Sequence, residues 1–180
     1  LLLLCCTLLT AADWPHFRGP DQISGVTSDA QLRGWNGARE RWSVELGTGF
    51  SSPVIAQGRL VCSGNKNNED VVRCFDAATG ALIWEQRYPA DLSSRNYEGG
   101  PNAAPTIAGD KVVVFGKHGD LLCYDLDDGT PQWQRQLQQE EGLKPPKWGF
   151  AAAPLVRGST IWLNAGPQDI AVELGSGKTR

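Results

Sequence analysis

A turn motif that returns twice along the chain constrains this sequence more than any other feature. Asp76-Ala-Ala-Thr-Gly80-Ala-Leu-Ile-Trp84 recurs as Asp125-Leu-Asp-Asp-Gly129-Thr-Pro-Gln-Trp133, and again as Glu173-Leu-Gly-Ser-Gly177-Lys-Thr-Arg180. The glycines set a period of about 49 residues, a length that belongs to stacked or radially repeated architectures. A second landmark keeps the same phase: Ser52-Pro53-Val-Ile-Ala-Gln-Gly58, Ala104-Pro105-Thr-Ile-Ala-Gly109 and Ala153-Pro154-Leu-Val-Arg-Gly158. Two independent landmarks that share one period make chance similarity a poor explanation.

Each period holds short runs rich in Val, Ile, Leu, Phe and Cys. They predict strands at 53–56, 59–63, 71–75 and 81–87, and again at 105–108, 111–115, 120–125 and 131–137. Gln57-Gly58, Gly109-Asp110 and Gly158-Ser159 separate the first two strands of each unit as tight hairpin turns. No segment carries a sustained helical period. The fold class expected is therefore all-β: a β-propeller of four-stranded antiparallel blades, with about three blades visible. A propeller closes with roughly four to eight blades, so the chain is expected to be an N-terminal fragment whose ring is completed by further blades. Residues 13–41 read as an extended N-terminal segment and 42–180 as the repeats. Ala90–Asn102 and Gln138–Lys147 read as surface loops between blades. Trp42 precedes the first complete strand set. Arg41–Leu46 is accordingly predicted as a borrowed terminal strand that completes a last blade and removes exposed sheet edges.

The repeated turn has a physical reading of its own. The acidic side chain accepts hydrogen bonds from turn amides, and Gly supplies a positive φ without steric cost. The Trp four residues later faces out of its sheet, where a flat indole fills the wedge between blades and buries roughly 200 Å². Its N–H then reaches a neighbouring carbonyl. Asp76, Gly80, Trp84, Asp125, Gly129, Trp133, Glu173 and Gly177 are thus candidates for packing rather than chemistry.

The first twelve residues, LLLLCCTLLTAA, are apolar or small and uncharged. They are too short for a membrane span of about 20 residues, and Thr10 and Ala12 place small side chains before Asp13. They read as a partial signal peptide of an exported protein, periplasmic or secreted and not transmembrane. Lipid attachment at Cys5 or Cys6 is the alternative, although Leu4 or Cys5 precedes it where a small residue is favoured. Removal of the leader leaves Cys62, Cys74 and Cys123. Two readings stand open for them: a cross-strand bridge between Cys62 and Cys74 in an oxidising compartment, or three small buried hydrophobes. Seventeen basic residues against 20 acidic ones give a net charge of −3, without the electrostatic footprint of a nucleic-acid binder. His16 and His118 lie beside Pro and Gly, and no Cys/His cluster has metal-binding spacing. There is no P-loop, dinucleotide fingerprint or nucleophile elbow.

Asp76–Trp84 and its copies resemble the tryptophan-docking motif of the pyrroloquinoline quinone (PQQ)-type repeat. Asp13-Trp-Pro-His-Phe-Arg-Gly-Pro20 is similar to the start of exported bacterial proteins with PQQ-like propellers. The third copy departs from the motif with Glu173 in place of Asp, and the sequence stops at Arg180, one position before its expected Trp. The resemblance covers roughly residues 42–180 and implies two kinds of relative: eight-bladed quinoprotein dehydrogenases, and propellers that bind no quinone, such as the lipoprotein scaffold of the outer-membrane β-barrel assembly machinery. Fold alone does not choose between them. A dehydrogenase of this family implies PQQ, a nearby Ca²⁺, a catalytic Asp, an aromatic floor and, in several members, a disulfide between adjacent cysteines. Here adjacent cysteines occur as Cys5-Cys6, within the leader.

Glu98 and Asn102, just before a first strand, read either as oxygen donors for Ca²⁺ or as polar loop residues. Tyr97, Trp148 and Phe150, with Phe50 at the same place in another unit, set aromatic rings where each blade enters the ring of blades; Arg95 and Lys147 add charge. These rings either line a mouth for a peptide strand, glycan or flat cofactor, or plug the channel. Glu140–Lys147 reads as a solvated connection whose Pro145-Pro146 pair offers a docking surface. The expected function is an exported, non-catalytic propeller without a cofactor, serving as a scaffold for a protein or glycan partner. The alternative is a PQQ- and Ca²⁺-dependent dehydrogenase of alcohols or sugars. A third reading is a carbohydrate sensor built on Tyr97, Trp148 and Phe150.

Overall fold

A computed structural model describes residues 13–20, 37, 39–94 and 97–180; the predicted leader, Cys5, Cys6 and Arg95 lie outside the described residues. Blade I is an antiparallel sheet of β1 (Val54–Ala56), β2 (Arg59–Lys66), β3 (Glu69–Asp76) and β4 (Leu82–Pro89), paired in sequence order. Blade II repeats the order with β5 (Thr106–Ala108), β6 (Lys111–Phe115), β7 (Asp120–Asp125) and β8 (Pro131–Gln136). A single-turn helix, α1 (Leu137–Glu140), leads to blade III, formed by β9 (Leu155–Arg157), β10 (Thr160–Asn164) and β11 (Asp169–Glu173). Val172 also bridges Thr179 beyond the third turn. No helix among the described residues is long and apolar enough to cross a membrane.

Turn chemistry fixes the registers. Gln57 and Gly58 take φ of 53° and 72°, the two-residue hairpin whose twist matches that of the strands. Asn67 and Asn68, at φ 57° and 61°, make a second such turn, because Asn tolerates the left-handed region better than most residues. That turn lets the ladder run from Arg59↔Asp76 to Lys66↔Glu69, well past the predicted 59–63 and 71–75.

The hydrophobic core lies between blades. In blade II, Val112, Val114, Leu122 and Tyr124 join Val54, Val61, Val72, Cys74 and Trp84 of blade I in one cluster. The alternate residues Val113, Phe115, Leu121 and Cys123 join Ile161, Leu163 and Val172 of blade III in another. Successive strand side chains point to opposite faces, so a sheet covered on both faces reads as a continuous apolar run. β7 is such a run, buried from Asp120 through Tyr124.

Arg41–Leu46 has no strand pairing among the described residues, and it covers the free face of blade I: Trp42 packs against Phe75 with ring centroids 6.2 Å apart, and Arg73 Nη1 donates to Leu46 O at 3.0 Å. Two expectations are corrected. The Cys62–Cys74 bridge is excluded by register, since Cys62 pairs with Arg73 and Cys74 with Val61. The two thiols therefore stand on adjacent rungs and point to opposite faces; Cys62, Cys74 and Cys123 are free and buried. The loop read at 138–147 contains most of α1, and its Leu143 is buried in the second core cluster rather than solvated.

The segment after the predicted leader lies along the inner strands. Trp14 and Ile55 exchange backbone hydrogen bonds of 2.6 and 2.9 Å, and Ile107 N donates to Pro15 O at 2.9 Å. One short stretch thus ties β1 to β5, completing inner edges that would otherwise carry unpaired backbone groups.

Candidate interaction site at the propeller mouth

The repeated turn positions everything above it. In each copy the Gly N–H closes on the acidic residue's carbonyl: Gly80 to Asp76 at 2.8 Å, Gly129 to Asp125 at 3.1 Å and Gly177 to Glu173 at 2.8 Å. Asp76 Oδ1 also accepts from Thr79 N and Thr79 Oγ1 at 2.8 and 2.7 Å. These bonds, that of the Thr79 hydroxyl foremost, hold its pKa below the ordinary value. Against each turn lies a Trp from the preceding unit. Trp84 Nε1 donates to Leu126 O at 2.8 Å, Trp133 Nε1 to Leu174 O at 2.9 Å and Trp42 Nε1 to Ala77 O at 3.2 Å. The indole covers the turn glycine so closely that a Cβ on Gly80, Gly129 or Gly177 would stand 2.6, 2.7 or 2.8 Å from the ring. That contact is absent from the sequence reading, which gave the glycine a conformational role alone. Trp42 makes it as well.

The loops that enter β1, β5 and β9 converge at one end of the inner strands. Phe50, Tyr97 and Trp148, one from each loop, form a row with ring centroids 5.6 and 5.8 Å apart. Phe50 and Trp148 are 55% and 43% exposed, unusual for rings of that size. With Asn102 they line an open cup of about 370 Å³. Asn102 Nδ2 holds its floor, donating to Tyr97 OH and Trp148 O, both at 3.3 Å. Phe150 does not join the row. It is 1% exposed, packed on Phe115 at 5.0 Å within the core between blades II and III. Gly149, at φ 79°, reverses the chain between the two rings and sends Trp148 outward and Phe150 inward.

A second cleft, of about 180 Å³, adjoins the cup and shares Tyr97 and Trp148 with it. Ser93, Lys117, His118 and Lys147 complete its polar lining, and no acidic residue lines it. Lys147 Nζ sits 5.0 Å from the Trp148 ring centroid and Lys117 Nζ 4.7 Å from that of Tyr97, within cation–π range. Lys117 is 4% exposed, and its ammonium donates to Leu92 O and Ser93 O at 3.2 and 3.3 Å. His118 Nε2 lies 3.0 Å from Asp91 O. Lys117 and His118 were not among the expected site residues; the turn at 116–119 between β6 and β7 brings Lys117 to Leu92, Ser93 and Tyr97 and His118 to Asp91.

As a calcium site the candidates fare differently. Glu98 is exposed, and the Asn102 amide nitrogen is engaged by Tyr97 and Trp148. No group of three or more His, Cys, Asp and Glu side chains suited to a metal ion occurs among the described residues.

Behind the mouth, between blades I and II, lies a buried polar knot. Asp70, 1% exposed, accepts from Asn65 Nδ2 at 2.8 Å and from Tyr88 OH at 3.0 Å. Burial raises the Asp70 pKa against the lowering effect of those two bonds. Asp120, also buried, is raised for the same first cause.

Comparison with known proteins places this architecture. Residues 27–180 match the family described as outer membrane protein assembly factor BamB. Outer membrane protein assembly factor BamB of Burkholderia pseudomallei (strain K96243) is 27% identical over 144 residues, covering 72% of this chain and 36% of that protein. A europium-containing methanol dehydrogenase shares the fold over 78% of this chain and 26% of its own, with TM-score 0.60 at 15% identity. The quinohemoprotein alcohol dehydrogenase from Comamonas testosteroni does so over 74% and 20%, with TM-score 0.55 at 21% identity. The chain therefore spans about a third of the curated relative and 26% and 20% of these two enzymes. With two blades of four strands and a third of the same plan, the recurring turn, and a family match over most of its length, the chain belongs to the PQQ-like repeat propeller family described as outer membrane protein assembly factor BamB.

Proposed function

We propose that the protein is an exported, non-catalytic PQQ-like propeller that serves as an interaction scaffold, binding a protein partner at the mouth loops. The observation that carries this reading is the exposed aromatic row. Phe50, Tyr97 and Trp148 come from three successive blades and leave large apolar surface in contact with solvent, which marks interaction sites more often than it serves folding. The Burkholderia relative, named for outer membrane assembly, supports a partner in the cell envelope. The apolar opening residues support export to the periplasm or beyond, with cleavage before Asp13.

The second reading is a PQQ- and Ca²⁺-dependent dehydrogenase, supported by the fold shared with two dehydrogenases. Reconstitution of the full-length mature protein with PQQ and Ca²⁺, followed by gel filtration and dye reduction with simple alcohols, separates the two. The scaffold reading expects no quinone absorbance to travel with the protein. Stoichiometric retention with turnover would establish the dehydrogenase instead.

A further inference from the structure

We infer that the mouth is a two-part site for an acidic peptide segment, with an apolar side chain in the aromatic cup and a carboxylate in the adjoining cleft. The inference rests on the scaffold reading and names the chemistry of its partner. Two features of the cup choose the apolar half. Its rings are tilted by 51° between Phe50 and Tyr97 and by 74° between Tyr97 and Trp148, so they form a concave seat rather than a flat shelf for a sugar face. Apart from the tyrosine hydroxyl and the Trp148 indole N–H, its polar group is the Asn102 amide, whose nitrogen is held by Tyr97 and Trp148. A pyranose would therefore bury hydroxyls against few partners, at a cost for each one left unpaired, whereas an aromatic or branched side chain would bury none.

The cleft chooses the charge. Lys117 and Lys147 form no ion pair among the described residues. Lys117 is buried with neutral carbonyls and a ring face as its partners. A buried charge is ordinarily paired, and here the surroundings supply dipoles but no counter-charge in contact. Asp91, whose Oδ1 accepts from Ser93 N and Oγ at 2.5 and 2.9 Å, lies near enough to Lys117 and His118 to be perturbed by both, and Asp70 and Asp120 lie near enough to His118; none of the three lines the cleft. The cleft thus presents the exposed Lys147 ammonium, outside any ion pair among the described residues, in a lining without acidic residues. Because cup and cleft share Tyr97 and Trp148, one short segment spans both. Charge complementarity of this kind sets orientation and partner choice.

The test uses the full-length mature protein and three fluorescein-labelled, end-capped pentapeptides: Gly-Asp-Phe-Glu-Gly, its Asn/Gln counterpart, and its Ala-for-Phe counterpart. Fluorescence anisotropy should show the first binding at least about tenfold more tightly than either control, with affinity falling as salt is raised. Lys147→Glu should weaken it by about tenfold or more, Lys147→Arg should retain it, and Trp148→Ala should remove the preference for Phe. Lys147 and Trp148 are exposed, so these variants should keep the wild-type circular dichroism and melting temperature. Equal binding of the acidic and neutral peptides, an affinity indifferent to Lys147→Glu, or no binding at all would overturn the inference. So would a cello-oligosaccharide that binds in its place and is lost in Trp148→Ala. Quinone retention in the reconstitution above would sink the scaffold reading itself, so the two failures are told apart.

Discussion

Gly129 is the residue where two demands meet. Its φ is 74°, and a Cβ there would lie 2.7 Å from the Trp84 ring. Gly58 has almost the same φ, 72°, with nothing within 4 Å of its would-be Cβ. Gly58→Ala should therefore lose about 1–2 kcal/mol, the cost of left-handed backbone alone. Gly129→Ala should lose about 2–4 kcal/mol because the indole must also retreat. Urea denaturation of the full-length protein measures both, and equal losses would mean that the ring contact contributes nothing. A second residue-scale prediction concerns Asp70. A carboxyl whose pKa is raised by burial binds its proton more tightly in the native state than in the unfolded one. Its contribution to stability is greatest in acid. It declines as pH rises from the ordinary value of 3.8 through the raised native one, and levels off above that. Asp70→Asn keeps an oxygen and a donor toward Asn65 and Tyr88 without a charge to bury, so its stability should fall less over that range. An unchanged slope would assign the effect to Asp120, the other buried carboxyl raised by desolvation.

At the scale of elements, strand pairing decides what the cysteines do. Burial pushes the Cys62 thiol up to about 11 and those of Cys74 and Cys123 to about 12, and thiolate is the reactive form. All three should resist alkylation in native protein and react fully in denaturant, with peptide mass spectrometry separating them from Cys5 and Cys6. A Cys62–Cys74 disulfide in the native protein would contradict the register. The strands and hairpins of blades I and II were legible because apolar runs and turn residues are local signals. The sides on which Cys62 and Cys74 lie follow from counting rungs, and the Asn67-Asn68 turn, which completes that count, was passed over. Trp42 could not be placed locally, since its partner turn at Ala77–Gly80 lies far along the chain. Phe150 misled for a related reason. It follows Trp148 by two residues, but in a loop that period carries no facing information, and Gly149 turns the chain between them. Lys117 was illegible, unlike Lys147, because charge beside a turn reads as solvated until the fold surrounds it.

For the whole molecule, the packing makes each blade a poor folding unit by itself. Each of the two core clusters joins neighbouring blades, and blade II divides its alternate side chains between them. Stability in such an array resides in nearest-neighbour interfaces, as it does in stacked repeats, and Trp84 and Trp133 each hold a different one. Trp84 is 6% exposed and buries its N–H on Leu126 O, so Trp84→Ala should cost about 3–5 kcal/mol. Trp133 is half-buried, and Trp133→Ala should cost less. The informative quantity is the double variant in the full-length protein. If blade II behaves as a rigid wall between two independent interfaces, the losses should add to within about 0.5 kcal/mol. Loss in excess of that sum would mean that loosening one face of the β7 sheet loosens the other. In that case the Phe50–Tyr97–Trp148 row, whose rings come from three successive blades, would also lose its spacing, and the fluorine NMR resonance of Trp148 in fluorotryptophan-labelled single variants, assigned with Trp148→Phe, would report the change.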